Sequence, residues 1–182
     1  MFDLIREDLR VKARWCCGGD APRHILRVLV WDGTFATLIY RASQFCYRQH
    51  LGLLGAILNQ LNPILTHAVI GRRAQFGPGF VILHSIGLVI NTGVQAGRNL
   101  TLENGVTIGA EKGHAPVLGD NVYIGAGARI IGNVRVGNDV RIGANAVVIN
   151  DVPDNATAVG IPARVIRIGD QEIKPPVGSD GI

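Results

Sequence analysis

Ile124-Gly125-Ala126-Gly127-Ala128-Arg129-Ile130-Ile131-Gly132-Asn133-Val134-Arg135-Val136-Gly137-Asn138-Asp139-Val140-Arg141-Ile142-Gly143 carries an aliphatic residue at every sixth position. A period of six is neither a helix period nor the alternation of an ordinary half-buried strand. It is the signature of a parallel β-helix, in which each six-residue unit supplies one short strand and one turn, and three units close a triangular coil. The rhythm extends outward from this stretch, back through Leu118, Ile108, Leu102, Ala96, Ile90, Ile82, Phe76 and Ile70, and forward to Val148. Each in-phase residue points into the prism, and four positions later a small or β-branched residue such as Val106, Val122, Val134 or Ala146 does the same. Gly follows eight of the thirteen in-phase residues, where the chain has to turn. A β-sandwich calls instead for alternating strands and longer turn clusters.

Two steps break the rhythm, and each contains a histidine. The step from Ile82 to Ile90 is eight residues and holds His84; the step from Ile108 to Leu118 is ten and holds His114. A fixed frame interrupted only where basic side chains stand suggests a site built onto a scaffold. Imidazole is the natural base near neutral pH.

Length and composition bound the rest. A chain of 182 residues with 47% apolar content fits one soluble domain plus an appendage. The net charge of +4 comes without the aromatic-interleaved basic stripe that single-stranded nucleic acid requires, so nucleic acid is not expected as a partner. A modest positive field suits an anionic cofactor equally well. Cys16, Cys17 and Cys46 are odd in number and lack metal spacing, which points to reduced thiols and a cytoplasmic protein. Met1-Phe2-Asp3 opens a mixed-charge stretch rather than a signal peptide.

Residues 1–66 read as an α-helical assembly segment, 67–168 as the β-helix and 169–182 as a flexible tail. Leu4-Ile5-Arg6-Glu7-Asp8-Leu9 starts an amphipathic helix, and Asp20 is placed to cap a second helix beginning at Pro22. From Ile25 to Tyr40 and from Leu51 to Leu65 apolar residues recur at helical spacing, with Asn62-Pro63 punctuating the approach to the first coil. Arg27 and Asp32 interrupt the first stretch and Asn59, Gln60 and Asn62 shorten the second, which argues against membrane contact. Pro153 is expected to end the hexapeptide run. Pro175-Pro176 carries the tail away from the body, and the terminal Ile182 has the shape of a group that inserts into a partner's pocket.

The chain resembles the serine acetyltransferase branch of the hexapeptide-repeat, left-handed β-helix acyltransferases over nearly its whole length. The residues that carry the likeness are Leu4 to Leu9, Tyr40-Arg41, Ile82-Leu83-His84-Ser85-Ile86-Gly87, Val106-Thr107-Ile108-Gly109, Ile124 to Ala128 with Ile131-Gly132-Asn133, Gly160-Ile161-Pro162-Ala163-Arg164, and the ending Asp180-Gly181-Ile182. The resemblance implies a mainly β chain with an N-terminal α-helical segment, assembled as a homotrimer or as a hexamer of two trimers. It implies acetyl-CoA as co-substrate, no metal, and transfer of acetyl to a small hydroxylated acceptor, L-serine to O-acetylserine, in cysteine biosynthesis. His84 aligns with the family's catalytic base. His114 matches the second active-site histidine with a one-residue shift. By motif Gly109, Ala110, Ala126 and Ala144 would line the pantetheine arm, with Lys112 or Arg164 available for phosphate. A terminal isoleucine, here Ile182, docks into cysteine synthase in that family.

Three departures bear on the acceptor. The family aspartate that orients the catalytic ring falls on Val69, and a second carboxylate that helps bind serine falls on Leu83. Asp20 corresponds to the third only across a two-residue gap. Another group must therefore replace the ring's partner, or the base is weaker. On chemistry alone a neutral sugar or glycan hydroxyl fits such a pocket better than a zwitterion, and a lapsed homologue that only binds cysteine synthase is a further alternative. A zinc enzyme on this fold needs three imidazoles at a subunit interface, and the coils carry only His84 and His114, with His67 just before them.

Overall fold

The computed structural model describes residues 1–173, so the expectations for Pro175-Pro176 and Ile182 lie outside the described residues. Four helices come first: α1 (Phe2–Cys17), α2 (Pro22–Leu29), α3 (Thr34–Arg48) and α4 (Gly52–Thr66). Pro22 starts α2 as its composition suggests, but the N-cap is Ala21 and no side chain caps it. Asp20, one residue too early to cap, lies 3.8 Å from Arg14 instead. The apolar stretch from Ile25 to Tyr40 is not one helix. It breaks after Leu29 and resumes at Thr34, with Gly33 at φ 76° turning the chain. Pro63 does not end α4, which runs three residues further. Packing on α3 outweighs the missing proline donor: buried Asn62 donates through Nδ2 to the carbonyl of Ala36 at 3.2 Å.

The chain then winds into a prism with three faces. The first face is β1 (Val69–Ile70), β4 (Val89–Ile90), β7 (Thr107–Gly109), β10 (Arg129–Ile131) and β13 (Val147–Val148), all parallel. The second is β2 (Gln75–Phe76), β5 (Gln95–Ala96), β8 (Val117–Leu118) and β11 (Arg135–Val136). The third begins with β3 (Val81–Ile82), β6 (Thr101–Leu102), β9 (Tyr123–Ile124), β12 (Arg141–Ile142) and β14 (Ala156–Val159). In-phase residues stack on one another from coil to coil: Ile90, Ile108 and Ile130 are register partners on the first face, and Leu102, Ile124 and Ile142 on the third. All are essentially removed from water and form one continuous core.

Pro153 does not end the stack. Val152 still bridges to Val136, and β14 pairs in parallel with β12, placing Ala158 against Ile142. The coil closes around a smaller core residue, which the aliphatic period does not register. Only then does the chain reverse into β15 (Arg164–Ile168) and β16 (Gln171–Glu172), which add antiparallel to the third face.

Polar clamps seat the helices on the first coil. Arg41 donates to both carboxylate oxygens of Asp8, at 2.8 and 3.0 Å, and to the carbonyls of Phe76 and Gly77. The same Asp8 carboxylate accepts from the amides of Gly79 and Phe80. Tyr40 packs on Phe76 and Phe80 and donates its hydroxyl to the carbonyl of Ala74 at 2.9 Å. These contacts fix α1 and α3 against β2 and β3, and so determine where the α2–α3 turn lands.

Candidate active site

The turn Val30-Trp31-Asp32-Gly33 comes down on the end of β3. A Cβ on Gly33 would overlap the carbonyl of Ile82, so only glycine allows this approach. Lys12 on α1 ties the two segments together, donating from Nζ to the carbonyl of Asp32 and, at 2.8 Å, to that of Ile82. The side chain of Asp32 is thereby brought against the first register break. Its Oδ2 lies 3.3 Å from Nδ1 of His84, while Oδ1 accepts from the hydroxyl of Ser85 at 2.9 Å and from the amide of Gly33 at 2.7 Å.

An ionised carboxylate only accepts, so Nδ1 of His84 donates to Asp32, and in the neutral ring the lone pair then falls on Nε2. The His84 side chain is 62% exposed, which leaves Nε2 open to an incoming molecule. Partial burial pushes the Asp32 carboxyl up, but hydrogen bonds from Ser85, the Gly33 amide and His84 outweigh it and hold the group below its usual value. Asp32 thus supplies the carboxylate partner that Val69 cannot. The sequence reading placed Asp32 inside a helical run and missed this role. The available signal was the Asp-Gly dipeptide, a turn marker in the middle of an apolar stretch.

The remaining candidate residues divide between two edges of the prism. His84 follows β3 and precedes β4, so it stands on the edge joining the third face to the first. Ala126 and Ala144 lie on that same edge in consecutive coils, linked by the Asn145 amide donating to the Ala126 carbonyl at 2.8 Å. Both corners are built of small residues, Gly125-Ala126-Gly127 and Gly143-Ala144, with Ala126 half-buried and Ala144 exposed. Arg164 begins β15 just after the last corner of this edge.

His114, Ala110 and Lys112 belong to the edge joining the first face to the second, between β7 and β8, and Gly109 is the last residue of β7 leading into it. The ten-residue step is a tight hairpin there. Glu111 and His114 exchange both backbone hydrogen bonds at 2.9 Å, around Lys112 and Gly113 with φ of 49° and 85°. Two consecutive left-handed residues are what a two-residue I′ hairpin requires. Within one chain, therefore, His84 and His114 stand on different edges. The three cysteines are unbonded, and among the described residues no three His, Cys, Asp or Glu side chains gather as a metal-binding group. No described helix is long and apolar enough to cross a membrane.

The class follows from the repeat: residues 115–150 match the bacterial transferase hexapeptide family (six repeats). The serine acetyltransferase of Synechococcus elongatus is 38% identical over 181 residues, covering 96% of this chain and 72% of its own length. A serine acetyltransferase solved in complex with CoA superposes with a TM-score of 0.81 at 30% identity, over 90% of this chain and 68% of that one. The soybean serine acetyltransferase complexed with serine gives 0.79 at 29% identity, over 91% and 70%. The chain belongs to the serine acetyltransferase family, and spans roughly 70% of the length of these relatives.

Proposed function

We propose that this chain is an acetyl-CoA-dependent O-acetyltransferase with L-serine as acceptor. The observation that carries the reading is the Asp32–His84 pair, with Nε2 of His84 left open. His84 accepts the proton of the acceptor hydroxyl as that oxygen attacks the thioester carbonyl; the imidazolium then returns a proton to the departing thiolate. Asp32 keeps the ring in the required tautomer and stabilises the imidazolium between the two steps. Asp32 removes one motive for the reading of a lapsed homologue, the missing ring partner at Val69; its other motives, Leu83 and the Ile182 terminus, are untouched by this pair.

The small-residue corners at Ala126 and Ala144 suit CoA, because an extended pantetheine arm needs close approach to the backbone. Arg164 at the end of that edge would meet the phosphates. Gly109, Ala110 and Lys112, on the other edge, would reach the same cofactor only from a neighbouring copy, as would His114 to the acceptor or oxyanion. A homotrimer, or two trimers as a hexamer, meets that requirement. The outer face of α4 supports assembly: Leu53, Leu54, Ile57, Ile64 and Leu65 are all exposed in the single chain, as are the register partners Val69 and Val89 on the first face. The division at 66 and 168, with β16 carrying the sheet a few residues past 168, a cytoplasmic setting and docking of Ile182 into cysteine synthase complete the reading.

A neutral sugar hydroxyl is the second reading, favoured by Leu83, which is uncharged and 9% exposed. Release of free thiol from acetyl-CoA, measured with L-serine and with a panel of sugars, tests both. Serine-dependent release is expected; release with sugars alone would replace serine as the acceptor, and silence with all of them would overturn the enzyme.

A further inference from the structure

L-Serine carries its ammonium three bonds from the hydroxyl oxygen, so a pocket that takes it needs a negative group close to the catalytic base. Most carboxylates of the cleft between the helices and the prism are already committed. Asp8 is paired with Arg41, Asp20 with Arg14, and Asp32 with His84 and Ser85. Leu83, directly before His84, offers no charge. Glu103 is the exception.

Ile82 and Leu102 are register partners, so Glu103 stands beside Leu83, one coil along from the His84 break and on the same edge. Adjacent strands lie about 4.8 Å apart, a spacing that the length of a serine molecule bridges. The Glu103 carboxylate is half-buried and accepts one hydrogen bond, from the Tyr123 hydroxyl at 3.3 Å. Among the described residues it makes no ion pair. Burial first, and the Glu103 charge after it, pushes the Tyr123 phenol up, while the Arg141 guanidinium that lies over the Tyr123 ring at 4.7 Å opposes this without pairing with Glu103. The Cys16 thiol is raised by burial foremost, against the Lys12 charge, with Glu103 the smallest contributor. The Lys12 ammonium is occupied by two carbonyls at the root of the cleft. Neither Lys12 nor Arg141 closes an ion pair with Glu103, so among the described residues this half-buried carboxylate has a phenol for a partner and no bound cation.

We propose that Glu103 is the receptor for the ammonium group of the acceptor, placed one coil from His84 so that it selects a β-hydroxy amine over a neutral alcohol. This rests on the acetyl-transfer reading with serine as acceptor. A charge-assisted hydrogen bond of this kind is worth roughly tenfold to hundredfold in affinity.

The test is steady-state kinetics of the full chain, wild type and Glu103→Gln, with L-serine and with 3-hydroxypropionate, which lacks the amine. Glu103→Gln is expected to raise the KM for serine by about tenfold or more, with a much smaller change in kcat and none in the KM for acetyl-CoA. Kinetics with 3-hydroxypropionate should not fall in parallel, and Glu103→Asp should recover part of the serine affinity. An unchanged serine KM in an active Glu103→Gln enzyme overturns the receptor and leaves the serine reading standing. Equal losses with both acceptors also overturn it, as a structural role for Glu103. Absence of serine turnover in the wild type overturns both.

Discussion

Asp32 and Lys12 show how much of the site rests on single side chains from outside the repeats. Asp32→Asn preserves shape and removes the charge that holds the His84 ring and its imidazolium. It is expected to lower kcat by roughly a hundredfold, with CoA binding unchanged by calorimetry; a kcat within a few-fold of wild type would remove Asp32 from the mechanism. Lys12 gives a pH signature. Burial depresses its ammonium from 10.5 to about 8. Between those values the unfolded chain holds the proton and the folded chain does not, so this residue's contribution to stability rises with pH across the window, by about 3 kcal/mol. Urea unfolding at pH 7.5 and pH 10 should show wild type gaining on Lys12→Met by that order. Other groups titrate in the same range and the difference between the two proteins cancels those not coupled to Lys12; Cys16, which is coupled to it, is replaced by Ser in both proteins.

Between elements, the α2–α3 turn is the part of the helical segment that makes the site. Gly33 lets it touch the end of β3, and its φ of 76° is one that side-chain-bearing residues rarely adopt. Gly33→Ala should therefore lift the turn off Ile82, costing about 1–3 kcal/mol of stability and lowering kcat because Asp32 moves with it. Thermal unfolding and turnover on the same preparation check this; normal activity would mean that the turn tolerates displacement. The break was poorly legible beforehand. Residues 25–40 keep helical apolar spacing across it, and a periodic pattern reports which face is buried rather than whether the backbone is continuous. The apolar spacing from Leu51 to Leu65 was the better guide at Asn62-Pro63, because burial against α3 holds α4 together through a residue whose local preference is to stop it.

For the whole molecule, the division of His84 and His114 between two edges has a direct consequence. If neighbouring copies share each site, subunits carrying His84→Ala and subunits carrying His114→Ala are both inactive alone. Mixed by unfolding and refolding in equal amounts, they should recover about a quarter of wild-type activity, since one random interface in four pairs two intact histidines. No recovery from refolded, assembled mixtures would place each site within a single chain. The exposed stripe on α4 is the surface such an assembly would cover.

The period-six pattern was enough, without coordinates, to establish the prism, its inward residues from Ile70 to Val148 and the two breaks that carry histidines. Each rung of a β-helix repeats the same local contact, so every unit is independent evidence for the next. The resemblance to the serine acetyltransferase branch, rather than the period, added that Val69 and Leu83 stand where that family carries carboxylates beside the histidine. What only the tertiary structure decided was the replacement. Asp32 meets His84 across 52 residues of chain, through a glycine contact, a buried lysine and the docking of two helices on the first coil. Glu103 comes beside Leu83 only because the coils stack in that register. Contacts of this kind depend on how separately folded elements come to rest on one another, and no local spacing records that.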